Sequence, residues 1–228
     1  MKNTHKPQAA DAPPSHEDTD MKQAKPTAAE QEKARWFVLR VSYGRIAKAI
    51  ALIEDKRIEH HTPLRFKETV HNGKRTITTE PLLPSFVFTH STRTQIDALI
   101  QACRTSAAGF KPLLSFYYDH TSFRKDAPHM NPPLIVPDDA MDNFMRLTST
   151  QSPHIIPVTS DRVKYKLGDE VVITEGKFKG VHGRVARIAG QQRVVIELFE
   201  GCLVATAYIP QCALKPYTPH NDKKHSKR

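Results

Sequence analysis

Apolar residues recur at every second position in the C-terminal part of the chain, as in strands that bury one face. Val171 and Ile173 alternate in this way, as do Val194, Ile196 and Leu198, and Val185 and Ile188 belong to a further half-apolar run. Gly176, Gly180 and Gly183 separate the first two runs, and residues 189–192 mark the next turn. Because glycine allows positive φ and close backbone approach, this spacing predicts a small barrel of four or five strands.

The N-terminal half predicts a strand, a helix, a hairpin, a second strand and a second helix. Residues 35–42 form an apolar run around the only tryptophan, and residues 44–56 carry apolar positions at helical spacing. Asn72-Gly73 lies between two short extended runs within residues 63–79, a pair typical of a type I′ hairpin turn. We expect the second strand at residues 85–88 and the second helix at residues 94–103.

The middle of the chain is less regular. Phe116-Tyr117-Tyr118 is predicted to complete the first sheet, and residues 126–131 a loop. Pro137 precedes a predicted helix over residues 138–147, with Asp138 suited to its first turn. The role of residues 112–136 stays open.

Composition divides the chain of 228 residues into two domains and three connecting or terminal segments. We expect a disordered arm over residues 1–34, which carry almost no large apolar side chain. A first domain over 35–147, a linker over 148–161 rich in Ser, Thr and Pro, and a barrel domain over 162–217 follow. Residues 218–228 are predicted to be a disordered basic tail.

Two motifs resemble those of the NusG family. The run from Gly168 to Val185 is similar to the KOW motif, and Trp36-Phe37-Val38 with residues 83–88 is similar to the NusG N-terminal domain. Residues 204–210 resemble the specialised UpxY-type members, which antiterminate polysaccharide operons. The resemblance implies an α+β fold: an N-terminal NGN-type α/β sandwich, with helices flanking an antiparallel sheet, plus a small C-terminal KOW β-barrel.

The resemblance also implies that the first domain binds the clamp helices of RNA polymerase. The matching residues form an apolar patch, and a polar element after it matches a second polymerase contact. The patch comprises Leu83, Pro84, Phe86 and Phe88 with Arg40 at its edge, and the second contact His90, Ser91 and Thr92. Aromatic residues on a strand also suit a core, and the polar element also suits an ordinary turn.

In the KOW motif, Phe178 lies between Lys177 and Lys179 on a predicted loop tip. The resemblance implies a contact with a ribosomal protein or a termination factor at this exposed ring. Two alternatives stay open: the ring folds back onto the barrel, or Lys177 and Lys179 face RNA together with Arg184 and Arg187.

The net charge of +10 favours polyanionic partners, DNA or nascent RNA above all. Arg45, Lys48, Lys56 and Arg57 lie on or just after the first predicted helix, where they could meet DNA phosphates. A merely solvated helix face explains them equally well.

Nothing in the sequence points to an enzyme, a cofactor or a metal. Cys103, Cys202 and Cys212 are far apart, so a zinc site would have to be assembled from distant residues. We expect these cysteines to be reduced and buried. No run is long enough to span a bilayer, and the start of the chain lacks an apolar signal segment, so we expect a cytoplasmic protein. We also expect it to be a monomer.

The function implied is that of a transcription elongation factor that suppresses pausing and termination, as an antiterminator of capsular or other polysaccharide operons. Two alternatives remain: a ribosome-associated KOW protein that binds RNA, and a general NusG that couples transcription to termination or translation. The target operon is not identifiable from these residues.

Overall fold

A computed structural model describes residues 33–105, 112–121 and 131–218 of the chain. Within the first half the elements are β1 (Arg35–Val41), α1 (Ile46–Asp55), β2 (Glu59–His61), β3 (Leu64–His71), β4 (Lys74–Pro81), β5 (Phe86–Ser91) and α2 (Arg93–Thr105). The middle contributes β6 (Leu114–Phe116), β7 (Ile135–Val136) and α3 (Asp138–Thr148). The elements that follow are β8 (Ile156–Val158), β9 (Lys164–Ile173), β10 (His182–Ile188), β11 (Gln191–Phe199), β12 (Cys202–Ala205) and β13 (Leu214–Pro216).

The predicted order of elements is confirmed in the N-terminal half, where the short strand β2 is an addition between α1 and the hairpin. The strand at residues 35–42, both N-terminal helices, the hairpin and the helix after Pro137 all form. Asn72 and Gly73 have φ of 50° and 75°, as a type I′ turn requires. The predicted N-terminal arm up to residue 32, the loop at residues 126–130 and the tail after residue 218 lie outside the described residues.

The strands form two antiparallel sheets and one separate hairpin. The N-terminal sheet has the order β2-β5-β1-β6, with β7 also pairing with β1. The C-terminal sheet has the order β13-β9-β10-β11-β12-β8. Strands β3 and β4 pair with each other as a third, two-stranded sheet.

The C-terminal sheet differs from the prediction in two ways. It has six strands rather than four or five. Its edge strand β8 comes from residues 148–161, which were predicted to be a linker, and it pairs with β12 through Ile156, Pro157 and Val158. Ile155 and Val158 are buried beside this pairing, so burial of apolar side chains holds the segment in the sheet.

Each face of the N-terminal sheet buries a different set of side chains. Phe37, Leu39 and Val41 point to the face that α1 and α2 cover. Trp36 and Val38 point to the opposite face, where they join a second core. This alternation is the period of two that a strand imposes on its side chains.

The second core joins the two halves of the molecule, and we call it the junction core. It draws on the N-terminal sheet, on α3 and on the C-terminal sheet. Its members include Trp36, Leu83 and Phe88 of the N-terminal half, Met141, Phe144 and Leu147 of α3, and Ile173, Phe178, Val181, Ile196 and Leu198 of the C-terminal half. Helix α3 therefore lies between two sheets and buries apolar residues against both.

The junction core predicts a large loss of stability for Phe88→Ala. Phe88 is fully buried, and its ring meets that of Phe144 at a centroid distance of 5.5 Å. We expect the free energy of unfolding to fall by about 3–5 kcal/mol, because the truncation leaves a cavity. Urea denaturation measures the change. Phe66→Ala is the matched control: Phe66 is 41% exposed, and its loss should cost about 0.5 kcal/mol or less.

Equal losses for the Phe88 and Phe66 variants would contradict the assignment of Phe88 to this core.

A second prediction concerns His61, which packs edge-on against Phe144 at 5.8 Å. Its Nε2 lies 3.0 Å from Thr148 Oγ1, and the Thr148 hydroxyl donates to the Phe144 carbonyl, so the His61 Nε2–H donates to Thr148. Burial, helped by the charge of His60, lowers the pKa of His61 to about 4. The unfolded chain therefore binds this proton more tightly than the folded chain does.

The contribution of neutral His61 to the free energy of unfolding should be fully present above pH 6.5. It should be lost as the pH falls from 6.5 towards 4. The free energy of unfolding of the wild type should be lower at pH 4.5 than at pH 7.5. In His61→Gln, which keeps a donor but does not titrate, this difference should be smaller by about 2–3 kcal/mol. Urea denaturation at both pH values measures it. His71→Gln, on the exposed hairpin, is the control; equal effects of the two variants would refute the prediction.

Candidate functional site

The apolar patch predicted to bind polymerase lies at the junction core. Phe88 is fully buried and Leu83 is 8% exposed, whereas Phe86 is half-buried and Pro84 is exposed. The expectation of an accessible patch is therefore wrong for Leu83 and Phe88. The physical reason is the side-chain alternation of β5, which points Phe88 towards α3, where Phe144 covers it.

Phe86 occupies the boundary between the two sheets. Its ring lies 5.1 Å from that of Tyr117 and 5.9 Å from that of Phe199 on β11, edge to face in both cases. Beside these rings is a cavity of about 380 Å³ that is also lined by Leu83, Val158 and Leu203. Through this cavity, the predicted patch is accessible from the protein surface.

Arg40 is exposed on β1, directly opposite Phe86 on β5 and Ser115 on β6. Its side chain is on the same face of the strand as those of Trp36 and Val38, but it lies beyond the part of that face that is buried. Arg40 and Pro84 are thus the two predicted polymerase contacts that the fold leaves fully open to solvent.

The polar element His90, Ser91 and Thr92 has a structural role at the start of α2. The Gln95 backbone N–H donates to Thr92 Oγ1 at 3.3 Å, and the Thr92 backbone N–H donates to Gln95 Oε1 at 3.4 Å. These reciprocal bonds form a capping box. Ser91 is buried and its hydroxyl donates to Gln95 Oε1.

His90 completes this element on the surface of the N-terminal sheet. Its ring stacks on Trp36 at a centroid distance of 5.1 Å, and its Nδ1 lies 2.8 Å from Glu59 Oε2. Of the three residues, Ser91 is closed to a partner, while His90 and Thr92 remain partly exposed.

The predicted KOW contact Phe178 is buried, with 3% of its surface exposed. The expectation of an exposed ring is wrong, and the alternative in which the ring folds back is the one observed. Gly176 and Gly180 have φ of 75° and 84°, so the loop turns sharply and carries Phe178 into the junction core.

Polar contacts from α3 and the segment after it hold this loop in place. Lys177 Nζ donates to Ser152 Oγ at 2.9 Å, and Arg146 donates to the Gly180 carbonyl at 3.2 Å. Lys177 also lies 5.2 Å from the centroid of the Phe178 ring, while Lys179 is exposed.

Asn143 connects α3 to the C-terminal sheet, a role that we did not predict. Its Nδ2 donates to the His182 carbonyl at 2.8 Å, and its Oδ1 accepts the His182 backbone N–H at 3.0 Å. Asn143 is 6% exposed, so these bonds are made largely away from water. A polar residue between Met141 and Phe144 on an otherwise apolar side of the helix was the available signal.

The four basic residues predicted to meet DNA do not form one cluster. Lys48, Lys56 and Arg57 are exposed and Arg45 is half-buried. Arg45 and Lys56 flank opposite ends of α1, which places them roughly 16 Å apart along its axis. Lys56 pairs with Asp55 at 3.1 Å.

The cysteines are free thiols, and Cys103 and Cys202 are buried as expected, but Cys212 is exposed. Burial raises the pKa of the Cys202 thiol to about 12. Across residues 33–105, 112–121 and 131–218 there is no group of three or more His, Cys, Asp or Glu side chains able to hold a metal ion. In the same ranges no helix combines the length and apolar character needed to cross a membrane.

Parts of the chain are similar to known proteins. Residues 34–111 match the family model described as "NusG: Transcription termination factor nusG". A stretch of 34 residues is 41% identical to large ribosomal subunit protein uL24 of Nitrosococcus oceani, which is 15% of this chain and 32% of that protein. The chain thus matches about a third of the length of this ribosomal relative.

One solved structure, titled "Domain interaction in Thermotoga maritima NusG", is similar over 77% of this chain and 94% of its own, with 18% identity and a TM-score of 0.40. The family match covers β1 to α2 and the predicted patch on β5. Its antiparallel sheet and two helices have the order that the sequence predicted. Residues 34–111 are thus the part of the chain that is similar to the NusG family.

Proposed function

We propose that this protein is a transcription elongation factor that binds RNA polymerase through residues 35–147 and suppresses pausing and termination. The observation that carries the proposal is the NusG family match over residues 34–111. We further propose an operon-specific antiterminator of the UpxY type, acting on polysaccharide operons, on the resemblance of residues 204–210.

Polymerase would first meet the exposed part of the surface. Arg40 and Pro84 are open to solvent, and Phe86 is half-buried at the edge of the 380 Å³ cavity. A guanidinium beside an apolar recess suits a helical partner that presents both carboxylates and apolar side chains. Clamp helices of that chemistry are the proposed occupant.

Full engagement of the patch requires α3 or the C-terminal sheet to move, since Phe144 covers Phe88 and Phe199 covers Phe86. Polymerase would select the open form because only that form offers the whole patch, and the closed form would reduce the apparent affinity. The Asn143 and His182 hydrogen bonds oppose this opening.

A second candidate function is supported by the similarity to uL24, a protein of the large ribosomal subunit by its name. In this alternative the C-terminal sheet binds RNA through exposed Lys179, Arg184 and Arg187. Its loop residue Phe178 would remain in the core and take no part, in contrast to a KOW contact made by an exposed ring.

Retention by purified core RNA polymerase, treated with nuclease, tests the main proposal on the full chain. Asn143→Asp should raise retention about tenfold, because a carboxylate cannot donate to the His182 carbonyl and the open form becomes more populated. Asp142→Asn, an exposed neighbour on the same helix, is the matched control and should have no effect.

A second pair of variants locates the contact. Arg40→Gln should reduce retention severalfold without a change in thermal stability, whereas Arg187→Gln on the C-terminal sheet should not. If polymerase retains none of these proteins and purified ribosomes retain the wild type in an Arg187-dependent way, the ribosomal alternative replaces the main proposal.

A further inference from the structure

The hairpin of β3 and β4 stands apart from both sheets, and we call it the ribbon. Its strands pair with each other over eight consecutive residue pairs, from Leu64 with Pro81 to His71 with Lys74. Every residue from 66 to 79 is exposed. Its base is tied down by the Phe66 N–H, which donates to the Gln151 carbonyl at 3.0 Å. The ribbon is thus an ordered element with both faces open to solvent.

The two faces of the ribbon differ in chemistry. One face carries Phe66, Val70 and Ile77, which are 41%, 64% and 71% exposed. The only charged residues on that face, Glu68 and Arg75, neutralise each other at 3.3 Å. Thr79, paired with Phe66, also lies on this face, and because side chains alternate along a strand the other polar residues of the ribbon lie on the opposite face.

The polar face carries the net charge of the ribbon. It consists of Arg65, Lys67, Thr69, His71, Lys74, Thr76, Thr78 and Glu80. Glu80 accepts hydrogen bonds from Arg65 at 2.7 Å and from Lys67 at 3.0 Å, so the basic excess increases towards the tip. Lys74 makes no ion pair with any residue that the structure describes. Three cations against one carboxylate leave this face at +2 with His71 neutral.

The shape and charge of this face suit a nucleic-acid duplex. The major groove of B-form DNA is about 12 Å wide and admits a two-stranded β-ribbon. Eight residues of strand extend about 27 Å, which spans roughly eight base pairs. Threonine hydroxyls can bond to base edges, and the Lys74 ammonium can reach a phosphate. Lys67 can do the same by exchanging Glu80 for a phosphate, because Glu80 keeps its two hydrogen bonds from Arg65. The deep, narrow major groove of double-stranded RNA does not admit such an element.

We propose that the polar face of the ribbon docks in the major groove of duplex DNA, with Lys67 and Lys74 on phosphates and the apolar face turned outward. This site is separate from the predicted basic residues of α1. It also goes beyond the proposed function, because the contact requires no polymerase and is measured without it.

The test is fluorescence anisotropy of the full chain with labelled 20-base-pair duplexes of unrelated sequence, titrated between 50 and 200 mM KCl. Each lysine that neutralises a phosphate contributes about 0.9 to the slope of log K against log salt. Lys67→Gln/Lys74→Gln should therefore lower the slope by about 2 and weaken binding of all duplexes alike. Its thermal midpoint should change little, because both lysines are exposed and the lost pair of Lys67 with Glu80 is a surface ion pair.

Two double variants serve as controls. Val70→Thr/Ile77→Thr makes the opposite face more polar without changing its charge and should leave DNA affinity unchanged. Lys33→Gln/Lys215→Gln removes the same charge from exposed residues outside the ribbon and should leave the slope unchanged.

Several results would overturn the inference. One is a wild type that does not bind the duplex. Another is a salt slope for Lys67→Gln/Lys74→Gln that equals the slope of the wild type. Loss of binding in Lys48→Gln/Lys56→Gln alone would place the DNA-binding site on α1. Loss of binding in Val70→Thr/Ile77→Thr would show that the ribbon contacts its partner through the apolar face. Tighter ribbon-dependent binding of single-stranded RNA than of the duplex would also exclude the major groove.

Discussion

Helix α3 is held by apolar burial on two sides, and the relation between the two halves of the molecule depends on it. Phe144 packs against Phe88 of the N-terminal sheet and against His61, while Asn143 bonds to His182 of the C-terminal sheet. Hydrophobic burial is not directional, so it brings the sheets together without setting their alignment. The two hydrogen bonds of Asn143 supply a direction, because they form only in one arrangement.

The contacts that hold the junction core together also cover the surface that a partner protein would bind. The aromatic residues that a polymerase partner would contact are the ones that hold the two halves together. A partner that binds Phe86 and Phe88 must replace the contacts that Phe199 and Phe144 make with them. Its net affinity is therefore the difference between new and displaced burial, and the closed state acts as a competitor within the same chain.

The loop around Phe178 is subject to the same competition. Its ring, Lys177 and Gly180 all contact α3, the residues after it or the junction core. A partner for this loop and a partner for the patch on β5 would both favour the open arrangement. Each would thereby strengthen the binding of the other, as linkage requires. The ribbon and the exposed basic residues take no part in this core and keep their surface in the closed arrangement.

Local patterns in the sequence were enough to predict most helices and strands. A period of two or 3.6 is an averaged property of many residues, and Asn72-Gly73 adopts positive φ with little help from its surroundings. The same patterns placed the candidate patch on β5. They failed for β8, because three residues are too few for a period and only the pairing with β12 makes them a strand.

The sequence by itself determined which face of each element is apolar; only the tertiary structure decided what covers that face. The alternation around Phe86 and Phe88 indicates that one side of β5 is shielded from water. The same pattern is expected whether a core or a partner protein provides the shield. Glycines at 176 and 180 predict a sharp turn but not the direction in which Phe178 points. Coverage arises from residues distant in the chain, such as Phe88 and Phe144, and no local pattern contains the geometry that brings them together.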